Sequence, residues 1–184
     1  VEFMNKATEL NPNMAETYYW KGRLLINKEE VEFIDQALEA YRKAGELDPS
    51  IYYIWYDMGY IYYLQGADFY DRANVEEHEP TRDQLLVLGK EKYDEAIPAL
   101  EHALRLNPSD TETRTALGCA YYGNKEFAKA TEQLHRVIES NPDEEQAWAN
   151  LVRVTEEGAW QNLANYCERL AERFPGNRHI TLNH

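Results

Sequence analysis

Between Ser109 and Pro142 the apolar positions fall into two runs, each spaced by three and four residues. Leu117, Gly118, Tyr121 and Tyr122 form the first run; Phe127, Ala130, Leu134, Val137 and Ile138 form the second. That spacing predicts two amphipathic helices, and Gly123-Asn124 between them predicts a tight turn. Gly118 and Ala130 place small residues where the two helices must approach closely. The unit ends in Asn-Pro, which stops a helix because the residue before proline is pushed out of the α region. Its length is 34 residues.

Similar units flank it. Residues 1–12 end in Asn-Pro with Ala7 five positions before Pro12, and read as the second helix of a truncated repeat. Residues 13–49 form a repeat: Tyr18, Gly22 and Leu25 mark its first helix, Ile34, Ala37, Leu38, Tyr41 and Ala44 its second. Its three extra residues are placed around Asn27–Val31. Residues 50–108 form a repeat with Trp55, Met58, Gly59 and Tyr62, then Tyr93, Ala96, Leu100 and Ala103, and carry an insert at about 67–91. Residues 109–142 are the regular repeat. Residues 143–175 form a looser terminal repeat, with Trp148, Leu151 and Val154, then Leu163, Cys167 and Leu170, turning at Gly158. A polar tail, 176–184, follows.

The insert holds seven acidic residues against three basic ones. It is expected to project from the turn edge as an acidic, partly mobile element, with Leu85–Leu88 packed down. Thr81 and Gln84 spell a capping box there. Gly89 and the mid-helix Pro98 predict a break or kink near Gly89–Lys92.

In these positions the chain resembles the tetratricopeptide-repeat family, whose pattern is Trp-x2-Leu-Gly-x2-Tyr, then Ala-x3-Phe, then Pro, at a 34-residue period. Trp55, Met58, Gly59 and Tyr62, then Ala96, Leu100 and Pro108, occupy those places. Arg114, Leu117, Gly118 and Tyr121, then Ala130, Leu134 and Pro142, occupy them in the regular repeat. Tyr18, Lys21, Gly22 and Leu25, then Ala37, Tyr41 and Pro49, do so one repeat before the insert. Trp148, Leu151, Val152 and Thr155, then Leu163, Cys167 and Pro175, do so in the last. The resemblance implies an all-α fold, an α-solenoid of stacked antiparallel helix pairs in a right-handed superhelix. It also implies a binding role for the concave wall.

Charge narrows the partners. The formal net charge is −14, which argues against nucleic acid, whose phosphates require Lys and Arg, and against anionic membrane surfaces. No apolar run reaches membrane-spanning length, so membrane insertion is not expected. Two cysteines in separate units suggest a reducing, cytoplasmic setting. No histidine stands at a metal-ligand spacing, and Asp68, Asp71, Glu76, Glu77, His78 and Glu79 read as a solvated acidic loop rather than a cation site. No phosphate loop or nucleophile motif occurs, and Cys119 reads as a packed thiol. The chain is therefore read as a non-enzyme without cofactor or metal.

The leading functional expectation is a scaffold that binds a peptide or partner helix. Tyr53, Tyr56, Tyr60 and Tyr63 are spaced i, i+3, i+7 and i+10 and share a face. The resemblance places that face on the inner wall, with Tyr19 and Arg23 before it and Cys119, Tyr122 and Arg153 after it. Tyrosines suit recognition, and the arginines suit acidic ends of a ligand. The Lys, Asn and Arg set with which some family members clamp chaperone tails is absent: the matching inward places hold Tyr19, Arg23, Asp57, Thr115 and Cys119. Two alternatives remain: end-to-end assembly of copies through the repeat edges, as a homo-oligomer, and an accessory region of a larger enzyme.

Overall fold

Among the described residues each apolar run folds as a helix, and each Asn-Pro or Asp-Pro ends one. A computed structural model of the chain describes residues 2–26 and 31–156, together with 168, 171 and 172. In chain order the helices are α1 (Glu2–Leu10), α2 (Ala15–Ile26), α3 (Val31–Leu47), α4 (Tyr52–Val75), α5 (Glu79–Leu106), α6 (Thr111–Gly123), α7 (Phe127–Ser140) and α8 (Glu145–Glu156). Among the described residues there is no strand. The architecture is an all-α helical-repeat solenoid built from the pairs α2/α3, α4/α5 and α6/α7, with α1 packed on α2 and α8 on α7. Residues 27–30, where a turn is expected, lie outside the described residues. So do Gly158, Leu163, Cys167, Leu170 and the tail.

The five-residue spacing to proline has a direct cause. The amide of the residue before Pro12, Pro49, Pro108 and Pro142 donates to the carbonyl four positions upstream, closing the last helical turn. These bonds are Asn11 to Ala7 (2.9 Å), Asp48 to Ala44 (2.9 Å), Asn107 to Ala103 (2.8 Å) and Asn141 to Val137 (2.8 Å). Ala44, Ala103 and Val137 are fully buried, so the final turn is also where the next helix leans in. The proline carbonyl is then used again. Trp55 Nε1 donates to Pro49 O (2.9 Å) and Trp148 Nε1 to Pro142 O (2.8 Å), and the Arg114 guanidinium makes the same bond to Pro108 O. Arginine stands in for tryptophan in the regular repeat because both carry an N–H at the required reach.

Within a pair, a glycine meets a large side chain. A Cβ on Gly22 would lie 2.7 Å from the Tyr41 ring, one on Gly59 2.7 Å from Leu100, and one on Gly118 3.0 Å from Leu134. Tyr41, Leu100 and Leu134 are fully buried, so these contacts set how closely the pairs close.

The insert departs from expectation. It is neither a separate loop nor followed by a break. Residues 67–75 continue α4 and 79–91 belong to α5, with a turn at 76–78. With 24 and 28 residues, α4 and α5 outrun α6 and α7 by eleven and fourteen, roughly 16 and 21 Å at 1.5 Å per residue. Gly89 does not interrupt α5, because its missing side chain is used in packing. A Cβ there would lie 2.4 Å from the Tyr70 ring and 3.2 Å from Gly66 O. Pro98 is exposed and sits inside the continuous helix. The cap also differs from the expected box: His78 is the N-cap, Pro80 lies in the first turn, and Thr81 Oγ1 meets His78 Nδ1 at 2.9 Å. Of the apolar end, Leu85 is buried, whereas Val87 and Leu88 stay exposed.

Candidate functional site

Side chains of α4 lie along one face, and their helical spacing turns them into a ladder. Tyr52 and Tyr56 stack at 6.1 Å and 13°, Tyr56 and Tyr60 at 5.8 Å and 19°, and Tyr60 and Tyr63 tilt at 5.9 Å. Tyr63 passes the contact to Tyr93 on α5 (6.3 Å), and Tyr93 to Tyr70 (5.5 Å). The predicted stripe therefore divides. Tyr56, Tyr60 and Tyr63 remain together, while Tyr53 turns to Tyr19 at 4.3 Å. Tyr52 joins the ladder instead. Its hydroxyl donates to Asp110 Oδ2 (2.7 Å) and lies 2.7 Å from Thr113 Oγ1, tying α4 to the start of α6.

Where α2 meets α4, the polar side chains pair internally. Arg23 Nη1 meets Asp57 Oδ2 at 3.2 Å, and Tyr19 Oη donates to the same oxygen at 3.1 Å. Tyr19 is buried. Burial pushes its hydroxyl up to about 12, with the Asp57 carboxylate adding to the shift. Burial also raises the Asp57 carboxyl above its ordinary value, against the opposing pull of Arg23 and Tyr19. The ion pair thus does not fully offset the desolvation of the acid. Arg23 is committed to Asp57, which removes it as a ready partner for an acidic ligand.

Two adjoining recesses open on the ladder. One, of about 570 Å³, lies between Tyr56, Tyr60 and Tyr63 of α4, Glu112 and Cys119 of α6, and Glu144 and Asn150 at α8. The other, of about 540 Å³, runs deeper and is walled by the extended hairpin through Tyr63, Tyr70, Asp71 and Tyr93. Its far side is formed by Cys119, Tyr122, Lys125 and Arg153. Arg153 lies over the Tyr122 ring at 5.3 Å. Burial pushes the Cys119 thiol up, although Tyr63 hydrogen-bonds to it, so it stays a neutral thiol at physiological pH. Tyr56 is half-buried, and burial followed by the Glu112 charge holds its hydroxyl at about 12.

Four contributors escaped the sequence reading. Tyr70 and Tyr93 meet because α4 and α5 are continuous through the insert, whereas Tyr52 enters through its stacking on Tyr56 and its hydrogen bond to Asp110. Asn150, 5% exposed, lines both recesses. Among the described residues its side chain's one hydrogen bond is accepted at Oδ1 from Gln146 Nε2 (3.2 Å). A buried amide on an otherwise apolar helix face was the available signal. Among the described residues no group of three or more His, Cys, Asp and Glu is placed to hold a metal ion, and no helix is long and apolar enough to cross a membrane.

A sequence model of the tetratricopeptide repeat matches residues 87–153, which spans most of α5, all of α6 and α7, and most of α8. Over that stretch the chain is similar to the tetratricopeptide-repeat proteins. The human protein O-mannosyl-transferase TMTC1 is 24% identical over 197 residues, covering 100% of this chain and 21% of that protein. The tetratricopeptide repeat-containing protein trd-1 of Caenorhabditis elegans is 25% identical over 145 residues, covering 69% of this chain and 18% of its own length. The chain thus spans about a fifth of the length of these curated relatives. Among solved structures, MamA superposes with a TM-score of 0.64 at 20% identity, over 92% of this chain and 78% of MamA. The first tetratricopeptide-repeat domain of human RPAP3 superposes with a TM-score of 0.51 at 19% identity, over 85% of this chain and 97% of that domain. At such identities the likeness is one of fold. The tetratricopeptide-repeat architecture is, in general, that of a protein-interaction scaffold.

Proposed function

We propose that this chain is a scaffold that binds a peptide segment or partner helix in the groove lined by Tyr56, Tyr60, Tyr63, Cys119, Tyr122 and Arg153, with Tyr19, Arg23 and Tyr53 forming its α2 end. The observation that carries this reading is the tyrosine ladder. Tyr60 is 39% exposed and Tyr53 40%, although both are large rings on a helix that already buries Ile54, Met58, Ile61 and Tyr62 against its neighbours. Core packing does not need the extra rings. Tyrosine supplies broad contact area with few rotors, and its hydroxyl satisfies polar groups of a ligand. Asn150 offers an amide to a ligand's main chain. The proposed role is binding, and no catalytic residue is assigned.

The test is the double variant Tyr56→Ala with Tyr60→Ala. Its circular dichroism should match that of the parent, while affinity for a groove ligand falls at least tenfold, about 1.4 kcal/mol. Unchanged affinity, or outright unfolding, would show that the rings are core.

A second reading has its own support. Phe3 and Leu10 on α1 are 81% and 72% exposed, which favours end-to-end contact between copies through that edge. Light scattering across a concentration series separates the two, since only assembly raises the mass.

A further inference from the structure

We propose that the recess between α4, α6 and α8 receives an arginine or lysine side chain of the bound segment, its cation lying on the Tyr56–Tyr60–Tyr63 ladder between Glu112 and Glu144. This rests on the groove reading above and names the chemistry of the occupant. The recess of about 570 Å³ has two carboxylates among its lining residues, and neither lysine nor arginine. Its floor is aromatic. Tyr56 and Tyr60 lie nearly parallel, 5.8 Å apart at 19°, and Tyr60 keeps 39% of its surface exposed. A planar guanidinium or an ammonium on such a face gains from the ring quadrupole, and more so when a carboxylate shares the cation.

The molecule already shows this pairing elsewhere. Arg153 lies 5.3 Å from the Tyr122 centroid, Lys129 5.1 Å from that of Tyr121 and Lys92 5.3 Å from that of Tyr62. Tyr56 and Tyr60 have the same kind of face and the flanking acids, with no cation of the protein on them among these pairs. Asn150 supplies a second, independent feature. It is 5% exposed, it lines the recess, and its amide nitrogen has no hydrogen-bond partner among the described residues. An extended chain lying over it would place a carbonyl against that donor while directing a side chain toward the rings. An acidic side chain at the same point would face Glu112 and Glu144. The expectation of an acidic ligand is therefore confined to the deeper recess, where Lys125 and Arg153 outnumber Asp71.

The experiment uses three fluorescein-labelled nonapeptides with blocked ends and a shared Leu/Tyr framework. They differ at three positions that are all Arg, all Gln or all Glu. Fluorescence anisotropy against the whole chain should show the Arg peptide binding at least tenfold tighter than the Glu peptide, with the Gln peptide between. Glu112→Gln with Glu144→Gln should weaken the Arg peptide at least fivefold and leave the Gln peptide unchanged. Glu77→Gln with Glu91→Gln removes the same charge from exposed sites on the hairpin, outside both recesses, and should have no such effect. If both double variants weaken the Arg peptide equally, bulk acidity is the cause and the proposal fails. If all three peptides bind equally but lose affinity in the Tyr56→Ala, Tyr60→Ala variant, the groove reading stands and this inference falls. If no peptide binds, or binding ignores the tyrosines, both fall.

Discussion

Tyr93 is boxed in by two glycines. A Cβ on Gly66 would lie 2.9 Å from its ring and one on Gly123 2.2 Å, while the ring itself is 4% exposed. Through it the α4/α5 hairpin locks against the end of α6. Gly123→Ala should therefore destabilise the chain by about 1–3 kcal/mol through overpacking, even though alanine gains up to about 1 kcal/mol in helix propensity. Urea denaturation measures the balance, and a neutral or stabilised variant would mean that Tyr93 has room to move. The same logic explains why Gly22, Gly59 and Gly118 recur, since each admits a Tyr or Leu from the paired helix.

At the scale of elements, α5 is the anomaly. It runs 28 residues with Pro98 inside, although proline removes a main-chain donor and crowds the carbonyl four positions upstream. The helix survives because its buried positions (Leu85, Gly89, Tyr93, Ala96, Ala99, Leu100 and Ala103) form one stripe against α4 and α6, and packing on both sides of the proline holds the axis. Pro98 itself is exposed and contributes little contact. Pro98→Ala should then stabilise the chain by about 1–3 kcal/mol, the helix-interior penalty less the entropy that proline removes from the unfolded state. A lower urea midpoint for the variant would contradict this and would point to a shape that the proline imposes.

For the whole molecule, tyrosine burial sets the behaviour at high pH. Burial raises the hydroxyls of Tyr19, Tyr41, Tyr52, Tyr56, Tyr62, Tyr63, Tyr70, Tyr93 and Tyr121 above their ordinary value. A raised folded-state value means that the folded chain keeps protons the unfolded chain releases near pH 10. The stabilisation is fully present below about pH 10 and is lost as pH rises beyond it. The net charge of −14 adds self-repulsion in the same direction. Tyrosinate absorbance should lag behind that of free tyrosine and then rise together with loss of the helical dichroism signal. A gradual titration centred near pH 10 with the helices intact would refute the burial of these hydroxyls.

The repeat was legible from the sequence because it is written in local terms. Helical spacing, a glycine facing a large residue, and a proline five positions after a small or branched one are each enforced within a few turns of chain. Legible too was the stacking of Tyr56, Tyr60 and Tyr63 along one side of α4, since residues of one helix share a face by geometry alone. What the sequence could not settle was non-local. Gly89 and Pro98 argued for a break, but the choice between breaking and continuing depended on Tyr70 and α4 lying opposite, contacts between segments that only the folded chain brings together. Tyr53 and Tyr52 exchanged roles because Tyr19 and Asp110, from the repeats on either side, competed for them. Arg23 reads as a cation facing a ligand until Asp57, 34 positions away, is found beside it. Helix periodicity fixes which residues share a face, whereas the partners across that face are decided by how the pairs stack.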